Sequence, residues 1–535
     1  MERWVRRKSI LGGLAFVIAG GLAGGILGGR TASVSERTGE QLATYTNLLS
    51  LVQSRAAEPV EPRVAIEGSI RGMLRTMDPH SNYLDPEDYK HMLEEQQGSF
   101  SGLGIVISKP SNDKPLTVIS PLEGTPAWNA GIRAGDIISQ IEGVDTLDMT
   151  IDEALKRLKG PKGTKVTITV TRPGDAEVLH FTITRDDIPT NSIRQAFMVR
   201  PGTGYVKIEN FTRTTDHELD ERIRALQKQG MTRLILDLRR NPGGLLEQAV
   251  RVADRFLKKD QMIVYTHGRI SGADQEYRAT GAGDHLDLPL VMLVDKYSAS
   301  ASEIVAGAIQ DHDRGLIVGE TTWGKGLVQT VYPLSQDAAL ALTTARYYTP
   351  SGRLIQRDYN SLEDYLSHDE KDEDLIKVSK EVRRTDGGRT VYGGGGIHPD
   401  VVVIDPTPPV VDLLERAQMF FHFAVEYNAK HKGLPRSFEV TPVVLQEFQE
   451  FVRARQDFQD FLKARGVKWA AADIDANADR IKGEIKESIV SALWGLEEAY
   501  KVHAEIDRQL QKALDLFPRA QELAALPGAG PQTER

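Results

Sequence analysis

The middle of the chain alternates short apolar runs with longer segments whose apolar residues recur every three or four positions. The short runs predict buried strands, and the periodic segments at 216–229 and 303–310 predict helices. The predicted strands of this region are 205–208, 234–238, 290–294 and 316–319. Because strands and helices alternate along the chain, we predict an α/β core at 187–405.

Both ends of the chain show a helical pattern instead. Apolar residues three and four apart predict an N-terminal helical part at 31–97 and a C-terminal helical region at 411–526. The phenylalanines of the C-terminal region are interpreted as its packing residues: Phe420, Phe421, Phe423, Phe448, Phe451, Phe458 and Phe461. The charged stretch at 360–390 lacks a sustained apolar period, which predicts an exposed insertion. The last residues, 527–535, are expected to form a disordered tail.

A different pattern occupies 98–186, where glycine-rich turns separate short strands. Its first loop contains Gly102, Leu103, Gly104 and Ile105. The later blocks include a helix-like segment at 151–158 and an alternating strand at 165–170. This order resembles a PDZ domain, which implies that the loop's backbone N–H groups bind a peptide's terminal carboxylate while the peptide extends the sheet edge. The alternative is that the loop glycines only shape a hairpin.

Composition narrows the functions that the chain can have. A chain of 535 residues is expected to form several domains, and its net charge of -9 argues against general affinity for nucleic acid or acidic lipid. The chain contains no cysteine, which excludes disulfides, thiolate metal sites and a cysteine nucleophile.

The N-terminus predicts export. Four basic residues precede an uncharged run at 10–29, which is about long enough to cross the ~30 Å hydrocarbon core of a membrane as a helix. We interpret 1–30 as a membrane anchor, with a cleaved signal peptide as the alternative. By the positive-inside rule, the rest of the chain is expected at the extracytoplasmic face of the inner membrane, in the bacterial periplasm.

A candidate nucleophile follows the predicted strand at 290–294. The chain there carries Ser298, Ser300 and Ser302 and then begins a helix, which places a hydroxyl beside unpaired backbone N–H groups. The alternative is a plain helix cap. Because successive helical residues turn by about 100°, Ser300 and Ser302 face nearly opposite sides and only one can face a cleft.

An oxyanion site can be predicted beside Ser300. The strand at 234–238 leads to a Pro-Gly-Gly turn that exposes backbone amides. For a nucleophilic Ser300, the oxyanion would bind the N–H of Ala301 and one N–H from Gly243 or Gly244. Taken alone, such glycines at a strand-to-helix junction are more often geometric.

Lys325 is the candidate base for Ser300. His312 lies twelve residues further along a helix, about 18 Å away, and cannot reach the serine. A strand, helix and strand crossover returns the chain to its starting edge, which brings Lys325 beside Ser300. The lysine must be neutral, so burial must lower its pKa from ~10.4. Gln329 is expected to orient the amine only if 325–329 is one helical turn, because along a strand the two residues lie ~13 Å apart.

The chain resembles the C-terminal processing peptidases, also called tail-specific proteases, in the motifs that contain these residues. The shared motifs are Ser298-Ala299-Ser300-Ala301-Ser302-Glu303-Ile304, Gly324-Lys325-Gly326-Leu327-Val328-Gln329, Asp237-Leu238-Arg239 and Asn241-Pro242-Gly243-Gly244. Two outlying motifs also match, Asp78-Pro79 with Ser81 and Tyr83-Leu84, and Gly396-Ile397 with Pro399-Asp400. The resemblance covers about 47–405, with its motifs in one order. The resemblance implies a crotonase-like α/β (α+β) protease core with an inserted PDZ domain and helical ends. It also implies a Ser300–Lys325 dyad supported by Gln329, with neither metal nor cofactor.

The resemblance predicts a serine endopeptidase that recognises exported proteins by their C-terminal ends. The alternatives are a membrane-anchored PDZ adaptor with an inactive core, and a peptidase whose PDZ domain or C-terminal helices chiefly bind a regulatory partner. Some relatives have a catalytic aspartate at the position of Asp311, which the helix length makes structural here. Homo-oligomerisation through the helical ends is a hypothesis that rests on their amphipathic pattern.

Overall fold

The computed structural model describes residues 36–109, 114–175, 177–359, 365, 381–467 and 470–525. The chain divides into two compact units, Met1–Tyr83 and Leu84–Arg535. The first unit contains helices α1 (Glu36–Arg55) and α2 (Pro62–Arg75), as the helical pattern predicts.

The membrane prediction concerns residues beyond this range. No helix in the described part of the chain combines the length and the apolar character that a membrane crossing requires. The expected anchor at 10–29 and the expected tail at 527–535 lie outside the described residues.

The segment predicted as a PDZ domain forms a small antiparallel sheet with a separate ribbon. The sheet has the order β3-β4-β5-β7-β8, with β6 beside β5, and the ribbon pairs β2 with β9. The strands and helices from the unit boundary through this segment are β1 (Asn82–Leu84), α3 (Pro86–Gln97), β2 (Ser99–Gly102), β3 (Ile105–Ser108), β4 (Leu116–Pro121), α4 (Pro126–Ala130), β5 (Ile137–Ile141), β6 (Val144–Asp145), α5 (Ile151–Leu158), β7 (Lys165–Thr171), β8 (Val178–Thr184) and β9 (Asp186–Pro189). Because β3 is an edge strand of this sheet, its outer side can accept another strand.

The predicted α/β core is built on a second sheet, called the core sheet below. Its order is β10-β11-β12-β15-β16-β21, and all neighbours except β10 and β11 are parallel. The elements up to β16 are β10 (Gln195–Arg200), β11 (Thr203–Lys207), α6 (Thr215–Lys228), β12 (Arg233–Asp237), α7 (Leu246–Asp254), β13 (Met262–Gly268), β14 (Gln275–Arg278), β15 (Leu290–Val294), α8 (Ala301–Asp311) and β16 (Leu316–Gly319). The parallel order brings the ends of β12 and β15, with the turns that follow them, to one edge of the sheet.

A third sheet joins strands from before and after the predicted lysine loop. In it β14 pairs with β13, β13 with β18 and β18 with β17, and a hairpin of β19 and β20 follows β18 in the chain. The elements of this part are β17 (Leu327–Pro333), the 3₁₀ helix η1 (Ser335–Asp337), β18 (Ala339–Tyr348), β19 (Val382–Arg384), β20 (Thr390–Tyr392) and β21 (Val401–Val402).

The charged stretch at 360–390 is not simply exposed where the structure describes it. Tyr365 is buried, and the Arg389 guanidinium donates to Asp313 Oδ1 (2.5 Å) and to Asp400. The prediction of an exposed insertion is wrong for these residues, because composition alone does not reveal that a charge has a partner in the core.

The C-terminal region is helical, as predicted. Its helices are α9 (Pro409–Arg416), α10 (Met419–Lys430), α11 (Pro442–Ala454), α12 (Gln456–Arg465), α13 (Ala471–Ala476), α14 (Ala478–Trp494), α15 (Leu496–Ile506), α16 (Arg508–Asp515) and α17 (Phe517–Ala524). Six of the seven phenylalanines pack in one apolar cluster of this region; the exception is Phe421.

The last helices also complete the apolar packing on the core sheet. Alternate residues of β12 and β15 face opposite sides of the sheet, so Leu236 and Met292 pack with α6–α8 whereas Ile235 and Leu293 pack with α16 and α17. A buried parallel sheet needs cover on both faces, and α16 and α17 supply it on the second face. A chain ending near residue 405 would therefore expose that face.

A buried carboxyl in α14 makes the stability of the C-terminal region depend on pH. Burial, with the nearby Glu487 carboxylate, raises the pKa of Glu484 to about 7, although Arg480 Nε lies 2.8 Å from Glu484 Oε1. A raised pKa adds stability that is complete below the unfolded value of ~4.3 and is lost as pH rises through about 7. We expect Glu484→Gln to raise the melting temperature above that of the wild-type chain, and by more at pH 8 than at pH 5. The exposed Glu450→Gln serves as the control in the same melts, and equal pH dependence in both variants would contradict this prediction.

Candidate active site

Ser300 occupies a strained turn between β15 and α8. Its backbone has φ 55° and ψ −112°, a positive φ that side chains other than glycine rarely adopt. The residue is half-buried, whereas Ser298 and Ser302 are fully buried and donate to the carbonyl oxygens of Leu238 (2.9 Å) and Asn241 (3.0 Å). The two neighbouring serines therefore fix the turn, and only Ser300 has access to solvent.

The buried Glu303 carboxylate joins the Ser300 turn to the lysine loop. Its Oε2 accepts the N–H groups of Ser300 (2.7 Å) and Lys325 (2.9 Å). Its Oε1 accepts the N–H of Gly324 (2.7 Å) and the hydroxyl of Thr322 (2.6 Å). Burial raises the pKa of Glu303, while the four donors lower it. A single carboxylate thus holds both segments in place.

Tyr347 makes a second connection between the same two segments. Its hydroxyl shares its one proton between the carbonyl oxygens of Ser300 (3.0 Å) and Lys325. Burial raises the pKa of Tyr347 well above its usual value, so the phenol keeps its proton at neutral pH. The hydroxyl therefore holds the two carbonyl oxygens close together.

Lys325 and Gln329 contact each other through their side chains. Lys325 Nζ donates to Gln329 Oε1 at 2.9 Å, and both residues are half-buried. The expectation that this contact needs a helical turn is wrong, because Lys325 precedes β17 and Gln329 lies within it. The pairing register of β17 shifts between Val328 and Gln329, and such an irregularity redirects side chains.

The Asn241-Pro242-Gly243-Gly244 turn lies directly against Ser300. Asn241 Nδ2 donates to the Ile208 carbonyl (2.8 Å), and the Asn241 carbonyl accepts the N–H of Ala299 (2.9 Å). A Cβ added to Gly243 would lie 2.8 Å from the Ser300 Cβ and 2.9 Å from the Ala301 nitrogen. The backbone of this turn therefore approaches the serine more closely than a side chain would allow.

The two glycines of the turn differ in what their N–H groups do. The N–H of Gly243 donates to Asn241 Oδ1 at 2.8 Å. Gly244 lies opposite Phe211 in an isolated β-bridge. The hydrogen bonds of this bridge run from the Phe211 N–H to the Gly243 carbonyl and from the Leu245 N–H to the Phe211 carbonyl. The bridge therefore does not use the N–H of Gly244, whereas the N–H of Gly243 is bound to Asn241.

The other two candidates near α8 have different partners. Asp311 is buried and pairs with the buried Arg353, while its Oδ2 accepts the N–H of Ser351 (2.9 Å). The His312 ring contacts Asp386 Oδ2 (2.7 Å) and the Met262 carbonyl (2.7 Å). Both lie at the C-terminal end of the helix that Ser300 begins, as the length argument predicts.

The predicted PDZ loop joins β2 of the ribbon to the edge strand β3. Gly102 ends β2 and Ile105 begins β3, while Leu103 is buried in the apolar core of the PDZ segment. Gly104 has φ +76°, and a Cβ there would lie 2.4 Å from the Thr125 Cβ. Glycine is therefore required at 104 by geometry, and the loop leads directly into the unpaired side of β3.

A group of two carboxylates and a histidine lies away from this site. Among the described residues, Asp220, Asp284 and His285 have ligand atoms within 4.8 Å of one another. Arg224 donates to both carboxylates, and Arg255 Nη1 lies 3.0 Å from Asp220 Oδ1. The two guanidinium groups neutralise the acidic side chains, so this group is an ion-pair network.

Known proteins are similar to this chain over both its PDZ segment and its core. The chain matches the peptidase family S41 model over residues 202–365 and a PDZ domain model over 117–172. It is 41% identical over 331 residues to a carboxy-terminal-processing protease of Bartonella bacilliformis, a match that covers 61% of this chain and 75% of the relative. The chain belongs to the carboxy-terminal processing proteases of peptidase family S41. It is therefore a serine peptidase with a PDZ domain, as the sequence predicts.

Two further relatives show the extent of the likeness. CtpA of Bacillus subtilis, a carboxy-terminal processing protease, is 33% identical over 338 residues, which cover 62% of this chain and 70% of the relative. The solved photosystem II D1 C-terminal processing protease is 29% identical and matches 66% of this chain and 86% of its own, at a TM-score of 0.36.

Glu303 and Tyr347 are site residues that the sequence analysis did not identify. A glutamate three residues after a serine N-cap is the sequence signature of a capping box, which is a signal for Glu303. Its contacts with Gly324 and Lys325 have no such signal, because they join segments more than twenty residues apart. Tyr347 lies in an ordinary strand pattern, and the sequence gives no sign of its role.

Replacement of Glu303 by glutamine should impair this peptidase. The glutamine amide would direct N–H donors at the backbone N–H groups that the carboxylate now accepts. We expect kcat for peptide cleavage to fall about 10- to 100-fold, with a lower melting temperature. Glu247→Gln, an exposed glutamate in the first turn of α7, is the matched control. If Glu303→Gln cleaves as fast as Glu247→Gln, the connecting role of Glu303 is rejected.

Proposed function

We propose that this protein is a serine endopeptidase in which Ser300 and Lys325 form a catalytic dyad. The observation that carries the proposal is the double connection between their segments, through the Glu303 carboxylate and the Tyr347 hydroxyl. Such fixed segments hold a nucleophile and a base in a constant relative position. Positioning of this kind supplies a large part of the rate enhancement of enzymes. Gln329 orients the lysine amine through its 2.9 Å contact.

The reaction is an acyl transfer to Ser300. Neutral Lys325 takes the proton from the Ser300 hydroxyl, and the oxygen attacks the peptide carbonyl. As the peptide bond breaks, the lysine ammonium returns that proton to the leaving amine. A water molecule, activated by the neutral lysine, then hydrolyses the acyl-enzyme. The half-buried Lys325 must be neutral in the resting enzyme, which requires a pKa well below ~10.4.

The oxyanion of the intermediate binds two backbone N–H groups in this proposal. One is that of Ala301, the first residue of α8, where helix N–H groups lack intrahelical partners. The second is that of Gly244, because the N–H of Gly243 already donates to Asn241 Oδ1. Two such donors stabilise the charge that develops on the carbonyl oxygen.

The PDZ domain supplies the recognition of C-terminal ends. A peptide paired with β3 would extend the sheet, and its terminal carboxylate would lie at the N–H groups of Leu103, Gly104 and Ile105. We further propose that the substrates are exported proteins and that 10–29 anchors the enzyme to the inner membrane, as the basic and apolar N-terminal pattern suggests.

The proposed function is tested with the full chain and an unstructured protein that has an apolar C-terminus. We expect the wild-type chain to shorten this substrate and Ser300→Ala to leave it intact. An amidated C-terminus should be cleaved more slowly, because the loop N–H groups then lose a charged acceptor. Cleavage by Ser300→Ala would reject the dyad, and equal turnover of the amidated substrate would reject carboxylate recognition. A wild-type chain that binds the substrate without cutting it would indicate an adaptor.

A further inference from the structure

We infer that Asp507, in the C-terminal helical region, is a positioning residue for the oxyanion-binding turn, on which it acts through Arg239. The inference rests on the proposed function of that turn. Arg239 lies between the end of β12 and the Asn241-Pro242-Gly243-Gly244 turn, four residues before Gly243. The C-terminal helices have no assigned role in the reaction, and this contact gives them one.

Two carboxylates hold the Arg239 guanidinium from different parts of the chain. Nη1 donates to Asp507 Oδ1 (3.0 Å) and Nη2 donates to Asp507 Oδ2 (2.6 Å). Nε donates to Asp237 Oδ1 (3.1 Å) and Oδ2 (3.0 Å), and Nη2 also donates to Asp237 Oδ2 (2.6 Å). Gln509 Oε1 accepts a further Nη1 hydrogen bond (2.9 Å). A planar guanidinium held at two edges by carboxylates has a fixed orientation.

The Asp507 carboxylate is itself held rigidly. It is the N-cap of α16, and its Oδ1 accepts the N–H of Leu510 at 2.9 Å. Leu510 and Phe517 of the last two helices pack against the core sheet. The Asp507 side chain is only 5% exposed, and the charge of Arg239 lowers its pKa against the opposing effect of burial. The carboxylate therefore stays ionised at neutral pH and moves only with the helix and the sheet.

The position of Arg239 is passed on to the turn through the backbone. The Arg239 N–H donates to Asp237 Oδ1 (2.8 Å), and the N–H of Arg240 donates to Asp295 Oδ1 (2.9 Å). The N–H of Asn241 donates to the Leu238 carbonyl (3.2 Å), and Gly243 then lies against Ser300. A shift of the Arg239 side chain would thus move the donors of the oxyanion site relative to the serine. Shifts of about 1 Å in an active site cost up to about 100-fold in rate.

The charges in this group allow a clean substitution. Asp507→Asn leaves the Arg239 charge paired with Asp237, so no isolated charge remains buried. The asparagine retains an oxygen that can cap α16. The variant is therefore expected to fold while the guanidinium loses one of its two fixed edges.

The experiment measures kcat and KM of full-length variants with the unstructured substrate. We expect Asp507→Asn to lower kcat about 10- to 100-fold and to leave KM within about twofold. The acid limb of the pH profile of kcat should stay unchanged, because the dyad itself is intact. Asp507→Glu, which keeps the charge, should recover part of the loss. The matched control is Asp515→Asn in the same helix, since Asp515 is 70% exposed and lies 3.9 Å from Arg200. The control should keep the wild-type kcat.

The outcomes separate this inference from the proposed function. Asp507→Asn with kcat within about twofold of wild type would overturn the inference, provided that the wild-type chain cleaves and Ser300→Ala does not. A change in KM alone, or a shifted acid limb, would overturn it as well. If Asp507→Asn does not fold, Gln509→Ala removes the second acceptor of Arg239 Nη1 and leaves Asp507 in place. That variant should lower kcat about threefold to tenfold, and an unchanged kcat would reject the inference.

Discussion

Replacement of Lys325 by methionine is expected to lower the rate of peptide cleavage at least about 1,000-fold without unfolding the protein. Methionine keeps the length and the apolar stem of lysine but has no amine that can take the Ser300 proton. The backbone of residue 325 should stay in place, since Glu303 and Tyr347 hold it through its N–H and carbonyl groups. The rate is measured with the unstructured substrate, and a thermal melt checks the fold.

The control for this substitution is a lysine away from the site. Lys228 is exposed at the end of α6, and Lys228→Met should cleave at the wild-type rate. Gln329→Ala should fall between the two, because it removes the contact that orients the amine but keeps the base. A Lys325→Met variant that retained more than about a tenth of the wild-type rate would exclude the lysine as the base.

Replacement of Gly243 by alanine is expected to lower kcat about 100- to 1,000-fold. The added Cβ would lie 2.8 Å from the Ser300 Cβ, 2.9 Å from the Ala299 carbonyl oxygen and 2.9 Å from the Ala301 nitrogen. The residue also has φ +102°, a conformation that alanine rarely adopts. The collision must displace the turn, the serine or both, so the nucleophile and the oxyanion donors lose their relative position.

A control glycine separates backbone strain from the collision. Gly272 in the same protease core has φ +85°, and a Cβ there would meet nothing within 4 Å. Gly272→Ala should therefore cost about 1 kcal/mol of stability and leave kcat unchanged. The test compares kcat and melting temperature of the two variants. Equal activity of Gly243→Ala and Gly272→Ala would show that the close approach at Ser300 has no catalytic importance.

Local elements of this fold could be predicted from the sequence. The helix at 151–158 and the strand at 316–319 have the predicted bounds. The apolar period of these segments matches the geometry of one element, and neighbouring turns contain glycine or polar residues. The position of Ser300 at the start of a helix, and the return of Lys325 toward it, followed from the same local patterns combined with the strand, helix and strand crossover.

The contacts that fix the site could not be predicted in this way. Glu303, Tyr347 and Asp507 contact partners that are distant in sequence. The apolar period of a segment predicts a helix or a strand but does not indicate such pairs. Gln329 shows a related limit, because its contact with Lys325 depends on an irregular strand pairing rather than on a regular element. The helical pattern of α16 and α17 likewise indicated helices, but not that they cover one face of the protease sheet.

The pH dependence of covalent labelling shows whether a neutral Lys325 activates Ser300. A fluorophosphonate reports the reactivity of Ser300 without PDZ recognition or product release. We predict that labelling of the wild-type chain rises with an apparent pKa well below the ~10.4 of a free lysine, and that Lys325→Met abolishes both the inflection and most of the labelling. Labelling of Lys325→Met at the wild-type rate and with the same pH profile would exclude Lys325 as the base that activates Ser300.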